Sequence, residues 1–153
     1  MGDAGAGPLV AREPGVVPAC VFCEIVAGTR PAHVVVDDGE VMAFLDTRPL
    51  FKGHTLVVPR PHHETIGDLP AEAISAVFGW ARLVAMAMES ALGAAGSFVA
   101  LNNRVSQSVP HLHVHVVPRR PKDGLRGFFW PRTRYDDDEE AASYASRLRS
   151  ALS

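Results

Sequence analysis

Between Gln107 and Val117 the chain reads Q-S-V-P-H-L-H-V-H-V-V, an apolar residue alternating with a histidine. Such alternation fits an extended strand, in which successive side chains point to opposite faces. Leu112, Val114 and Val116 then share one face, and His111, His113 and His115 share the other. The apolar face needs a covering layer, so this strand must belong to a packed sheet. The histidine face constrains the chain further. Each imidazole has two ring nitrogens to satisfy and is costly to bury without partners. Three in line make a poor structural covering and mark a site.

The rest of the chain supplies the layers. His33 to Asp37 and Val41 to Asp46 are short β-branched or apolar runs flanking Asp38-Gly39, a strong hairpin signal. His54 to Pro59 reads as a third strand with a buried middle, ended by a proline that lacks a ladder donor. From about Pro70 to Leu92 the residues Ile74, Val77, Phe78, Ala81, Val84, Ala85, Met88 and Leu92 recur at helical spacing, with Gly93 placed for a left-handed cap. Met86 and Met88 are read as core filling. Ser97 to Asn102 and Leu112 to Val117 add two strands joined by the loop Asn103 to Ser108, and Glu139 to Leu152 predicts a short terminal helix. The expected fold class is α+β, with an antiparallel sheet of about five strands, one long helix and a short C-terminal helix. Residues 1–18, with three prolines, four glycines and no periodicity, read as a tail preceding one domain over 19–153.

Charge and leaders narrow the partners. The formal net charge is −2, which does not favour nucleic acid or anionic membranes. No run approaches about 18 consecutive apolar residues, and MGDAGAGPLV has neither the basic leader nor the apolar core of a secretory signal. A cytoplasmic address is the expectation. Arg119, Arg120, Lys122, Arg126, Arg132 and Arg134 form a basic segment before the acidic run Asp136 to Glu140, which reads as a solvated loop entering a helix with an acidic first turn. The two cysteines, Cys20 and Cys23, form C-V-F-C, too few for a disulfide framework. Metal binding or redox chemistry stays open.

Two chemistries compete for the histidine row. One is an H-x-H centre for zinc or iron. The other is nucleophilic attack at phosphorus by a neutral histidine, with Ser108 and loop amides donating to the phosphate.

H-L-H-V-H-V-V resembles the signature of the histidine triad (HIT) family. C-V-F-C-E-I-V-A-G-T-R-P-A, A-F-L-D-T-R-P-L-F-K-G-H-T-L-V-V-P-R-P-H and Q-S-V-P-H resemble further family segments in order, so the likeness covers roughly residues 20–120. It implies a HIT-like, homodimer-forming α+β fold that binds purine nucleotides and transfers or hydrolyses nucleotidyl groups through a covalent nucleotidyl-histidine. By this resemblance His113 is the nucleophile, His115 contacts phosphate and leaving group, and His54 supports them. Ser108 donates to the α-phosphate, Asp46 accepts from ribose hydroxyls, and Asn102 and Gln107 belong to the phosphate region. Phe22, Ile25 and Phe44 fall where the family lines its base pocket. Microbial members resembling this chain pair the C-x-x-C with a histidine in P-[KR]-x-H, here Pro59-Arg60-Pro61-His62. With His111 this gives a Cys₂His₂ set, Cys20, Cys23, His62 and His111, suited to structural zinc.

The expected function is an adenosine phosphoramidase-like nucleotide hydrolase. A dinucleoside polyphosphate hydrolase or phosphorylase, and a nucleotide-binding module with incidental turnover, are the alternatives. Phe128, Phe129 and Trp130 are expected to close the core, cover the site or meet a dimer partner.

Overall fold

The β-branched and apolar runs and the histidine row pair as a five-stranded antiparallel sheet in the order β1-β2-β3-β5-β4. Its strands are β1 (Val34–Asp37), β2 (Val41–Leu45), β3 (Thr55–Pro59), β4 (Gly96–Ala100) and β5 (Val114–Arg119). The helices are α1 (Val21–Val26), α2 (Ala71–Leu92) and α3 (Asp138–Leu152), with a 3₁₀ turn at Ile66–Asp68. This computed structural model describes residues 19–125 and 132–153; the expected tail, Arg126 and the aromatic run Phe128 to Trp130 lie outside the described residues. Two compact units divide at Pro121, the second spanning Lys122–Ser153. The first unit holds the sheet, α1 and α2.

Period-2 alternation sends β2 and β3 to two cores. Val41, Ala43 and Val57 face α2 and pack with Val77, Ala81, Val84, Met88, Leu112, Val114 and Val116. Met42, Phe44, Leu56 and Val58 face the other way, onto Cys20, Phe22 and Cys23 at α1. The β1–β2 hairpin turns at Asp38, whose Oδ1 accepts from the Glu40 and Val41 amides at 2.9 and 2.7 Å.

Helix α2 begins after Pro70 and ends at Gly93, whose φ of 65° is the left-handed cap expected. Its buried face is narrower than the spacing suggested. Phe78 and Leu92 are partly exposed, and Met86 is 52% exposed while Met88 is buried, so Met86 is not core filling. Two residues along a helix turn about 200°, which puts the two methionines on opposite sides. At 22 residues α2 is long and apolar enough to cross a bilayer by composition, but its buried face packs as that of a core helix. The C-terminal carbonyls of α2 at Leu92 and Gly93 are capped by the Arg120 guanidinium at 2.6 and 2.7 Å. That gives one member of the basic segment a structural role. In the second unit, α3 has Asp137 as N-cap, accepting from the Glu140 amide at 2.8 Å, and an acidic first turn as expected.

Candidate active site and metal centre

The strand β5 starts at Val114, so His111 to His113 lead into the ladder rather than belong to it. Their alternation persists all the same. The Leu112 amide donates to the His63 carbonyl at 2.7 Å and its side chain enters the α2 core. His111, His113 and His115 emerge on the α1 side, where His115 pairs in register with Leu56.

The three rings do different things because their backbone surroundings differ. His111 is fully buried, and its Nε2 lies 2.8 Å from the Pro59 carbonyl. A carbonyl only accepts, so Nε2 carries the proton and Nδ1 presents its lone pair. That lone pair faces Cys20 Sγ at 3.6 Å and Cys23 Sγ at 3.5 Å. The His62 Nδ1 lies 3.4 Å from Cys23 Sγ. Cys20 is the N-cap of α1, its sulfur accepting from the Cys23 amide, so one helix turn presents both thiols. The donor atoms of Cys20, Cys23, His62 and His111 all lie within 4.8 Å of one another, and this cluster could hold a metal ion.

His113 Nδ1 donates to the His111 carbonyl at 2.8 Å. Its Nε2 lone pair is thereby left free. The ring stands edge-on to Phe22 at 5.0 Å and to His115 at 4.9 Å. His115 Nδ1 lies 3.0 Å from His54 Nε2. The Leu50 amide donates to His54 Nδ1 at 3.1 Å, so His54 carries its proton on Nε2 and gives it to His115 Nδ1. His115 must then carry its own proton on Nε2. Burial is the main cause that lowers the pKa of all four rings, taking His111 and His115 to about 4; for His115 the neighbouring His113 and His54 lower it further. In the free protein at neutral pH, His115 is a neutral hydrogen-bond donor rather than an imidazolium.

The carboxylate that the sequence lacks near the row arrives from the end of β2. Asp46 Oδ2 lies 3.7 Å from His54 Nε2, and Oδ1 holds the Arg48 amide at 2.9 Å. Asp46, His54 and His115 form a second set close enough for a metal. The Leu50 bond argues against it: with Nδ1 already accepting, His54 could ligate through Nε2 only as an imidazolate or after breaking that bond.

A cavity of about 630 Å³ joins these groups, lined at its apolar end by Phe22, Ile25 and Phe44 and at its polar end by Asp46, Ser108, His113 and His115. An equally large groove beside α2 is lined by apolar residues such as Trp80 and Leu83, with Lys52 its one charged group among the described residues, so chemistry rather than size selects the site. His54 stands behind His115, outside the lining. Asn102 and Gln107 also lie off the cavity wall. Asn102 donates to the Ser106 carbonyl, while Gln107 donates to the Glu64 carbonyl and accepts from the Arg104 amide. They shape the loop that presents Ser108, in which Arg104 and Ser106 have positive φ. Sequence reasoning missed Arg30 and Arg48, which line the cavity from the segments before β1 and after β2.

Comparison with known proteins agrees with this fold. The HIT domain family model matches residues 27–122. An uncharacterised HIT-like protein of Mycobacterium tuberculosis (strain ATCC 25618 / H37Rv) is 38% identical over 87% of this chain and 92% of its own. The adenylylsulfatase HINT3 of Arabidopsis thaliana is 32% identical over 87% and 69%, and the adenosine 5'-monophosphoramidase HNT1 of Saccharomyces cerevisiae 29% over 79% and 75%. Among solved structures, a HIT family member from Bacillus subtilis superposes with a TM-score of 0.80 at 32% identity, covering 88% of this chain and 98% of that one. A zinc-bound histidine triad family protein from Mycobacterium smegmatis gives 0.68 at 36%, covering 87% and 97%. With its fold, its histidine row and more than half its length matched, the chain belongs to the HIT family.

Proposed function

We propose that this protein is a nucleotide hydrolase or nucleotidyl transferase that works through a covalent nucleotidyl-His113. The observation that carries the reading is the His113 ring itself, with Nδ1–H held by the His111 carbonyl and the Nε2 lone pair left for attack. In the first step Nε2 bonds to phosphorus and the bond from phosphorus to the leaving group breaks, its electron pair departing with that group. His115 donates from Nε2–H to the phosphate region, held in that tautomer by His54. Water then adds at phosphorus and releases a proton to solvent, the nitrogen–phosphorus bond breaks, and its electron pair returns to Nε2 of His113. Phe22, Ile25 and Phe44 take the purine, Asp46 the ribose hydroxyls and Ser108 the α-phosphate.

A leaving group that departs as a stable anion needs no proton, whereas an amine does. Relatives named adenylylsulfatase and adenosine 5'-monophosphoramidase support small adenylates of both kinds. A dinucleoside polyphosphate reading draws on Arg48 and Arg30, two guanidinium groups on the cavity wall suited to further phosphates. Turnover of adenylylsulfate, adenosine phosphoramidate and diadenosine polyphosphates, compared side by side, ranks these substrates.

We assign zinc to Cys20, Cys23, His62 and His111. Tetrahedral zinc with bonds of about 2.3 Å to sulfur and about 2.0–2.1 Å to nitrogen separates those donors by about 3.5 Å. The sulfur–nitrogen separations of 3.4, 3.5 and 3.6 Å fit, and His111 already offers an unprotonated Nδ1. Zinc there would fix α1 and His111 while leaving His113 free. A homodimer and a cytoplasmic address complete the reading; the outer edge of β4, at the end of the sheet, offers a surface for the partner.

The test is trapping. Quenched wild-type enzyme should carry a nucleotidyl mass on His113, and His113→Ala should lose the adduct and several orders of magnitude in turnover. Wild-type rates in that variant would remove the mechanism.

A further inference from the structure

The metal cluster and the nucleotide cavity share parts. His111 turns its ring nitrogen to the two thiols at 3.5 and 3.6 Å and its carbonyl to His113 at 2.8 Å. Phe22 lies between the two cysteines in sequence. Its ring lines the cavity and stands edge-on to His113 at 5.0 Å and to Phe44 at 5.3 Å. Ser108 and Val109 form a common wall, since they line the cavity and also a hollow over Cys20 and His62. Three elements of the nucleotide site are therefore carried by, or adjacent to, the residues that would hold the metal.

Resting on the proposed nucleotide and zinc assignments, we propose that the Cys20–Cys23–His62–His111 cluster is an effector site coupled to the nucleotide pocket through Phe22 and the His111 carbonyl. Without a metal, α1 and its N-cap meet His62 and His111 through sulfur–nitrogen contacts of 3.4–3.6 Å and an edge-on contact of the Phe22 and His111 rings at 5.9 Å. With one, four bonds fix the distance between the start of α1 and the start of the histidine row. That distance sets where Phe22 meets the base and where the carbonyl meets His113. His111 thus acts as a positioning residue through its main chain. Coupling of this kind is reciprocal: whatever factor the metal adds to nucleotide affinity, the nucleotide adds to metal affinity. Couplings between sites are typically about 5–150-fold, and two short, buried links argue for about tenfold.

The experiment uses the zinc-loaded protein, so it needs no stable metal-free form. Zinc is drawn off by excess chromophoric chelator with and without saturating AMP, and AMP affinity is measured by calorimetry on the loaded protein. Zinc should leave about tenfold more slowly with AMP bound. Where metal-free protein stays folded, zinc affinity should rise with AMP by the factor by which AMP affinity rises with zinc. Phe22→Ala should bind zinc and narrow that factor. AMP that binds the loaded protein while leaving zinc release unchanged overturns the coupling alone. Loaded protein that fails to bind AMP overturns the nucleotide reading, and the coupling with it.

Discussion

His54 offers a test in which two conservative substitutions should part company. Its ring is 3% exposed and has one job on each nitrogen: Nδ1 accepts from the Leu50 amide at 3.1 Å, and Nε2 donates to His115 Nδ1 at 3.0 Å. The Nδ1 of a histidine is mimicked by the carbonyl of asparagine, and Nε2 by the amide nitrogen of glutamine. His54→Asn should keep the Leu50 bond and lose the donor to His115. His54→Gln should do the reverse. Leaving a partly buried acceptor unpaired costs about 1–3 kcal/mol. For His54→Asn this falls on the ring that faces the phosphate, and at about 1.36 kcal/mol per decade it predicts a drop of roughly 5–150-fold in kcat/KM. His54→Gln should stay within about fivefold of wild type and instead lose about 1–2 kcal/mol of stability through the Leu50 amide. Steady-state kinetics on an adenylate substrate, with denaturant unfolding of the same preparations, reads both. Asparagine as active as glutamine would refute the tautomer chain.

Other outcomes follow from single contacts. Arg120→Ala removes both guanidinium bonds to the exposed end of α2 and should cost about 0.5–1.5 kcal/mol in chemical denaturation with kcat/KM unchanged, because Arg120 lines no part of the cavity. The pKa of His115 is lowered to about 4 and that of His54 is lowered too, so below about pH 6.5 the unfolded chain binds protons that the folded one refuses. Their contribution to stability should be complete above that pH and decline as pH falls toward about 4; unfolding curves across this window should slope less steeply in His115→Asn than in wild type. Elemental analysis should find about one zinc per chain, and Cys20→Ser with Cys23→Ser should lose it together with thermal stability.

Much of this architecture was legible because it is periodic. The β-branched and apolar runs on either side of the Asp38-Gly39 turn, the alternation at Leu112 to Val116 and the apolar stripe of α2 are each signals long enough to be read. Helix α1 was not legible, being six residues long and fixed by a cysteine N-cap rather than by an apolar stripe. Arg120 as a helix cap escaped for a different reason: its partners lie 27 and 28 residues away. Asn102 and Gln107 are polar and near the row, yet their side chains hold backbone groups, Asn102 the Ser106 carbonyl and Gln107 the Arg104 amide and the distant Glu64 carbonyl.

The division of labour along the histidine row lay furthest from the sequence. Three identical side chains at spacing two are indistinguishable as letters. They become a metal donor, a nucleophile and a hydrogen-bond donor because each meets a different second group: the Pro59 carbonyl takes the Nε2 proton of His111, the His111 carbonyl takes the Nδ1 proton of His113, and the Leu50 amide, acting through His54, leaves the His115 proton on Nε2. Two of the partners that set these tautomers, the Pro59 carbonyl and the Leu50 amide, belong to the strand β3 and the loop before it; the third is the backbone of the row itself. Register between β3 and β5, where Leu56 faces His115, therefore does more than close the sheet. A slip of one residue would take His111 and His115 away from the Pro59 carbonyl and His54 and turn Leu112, Val114 and Val116 out of the α2 core, so the chemistry and the packing would be lost together.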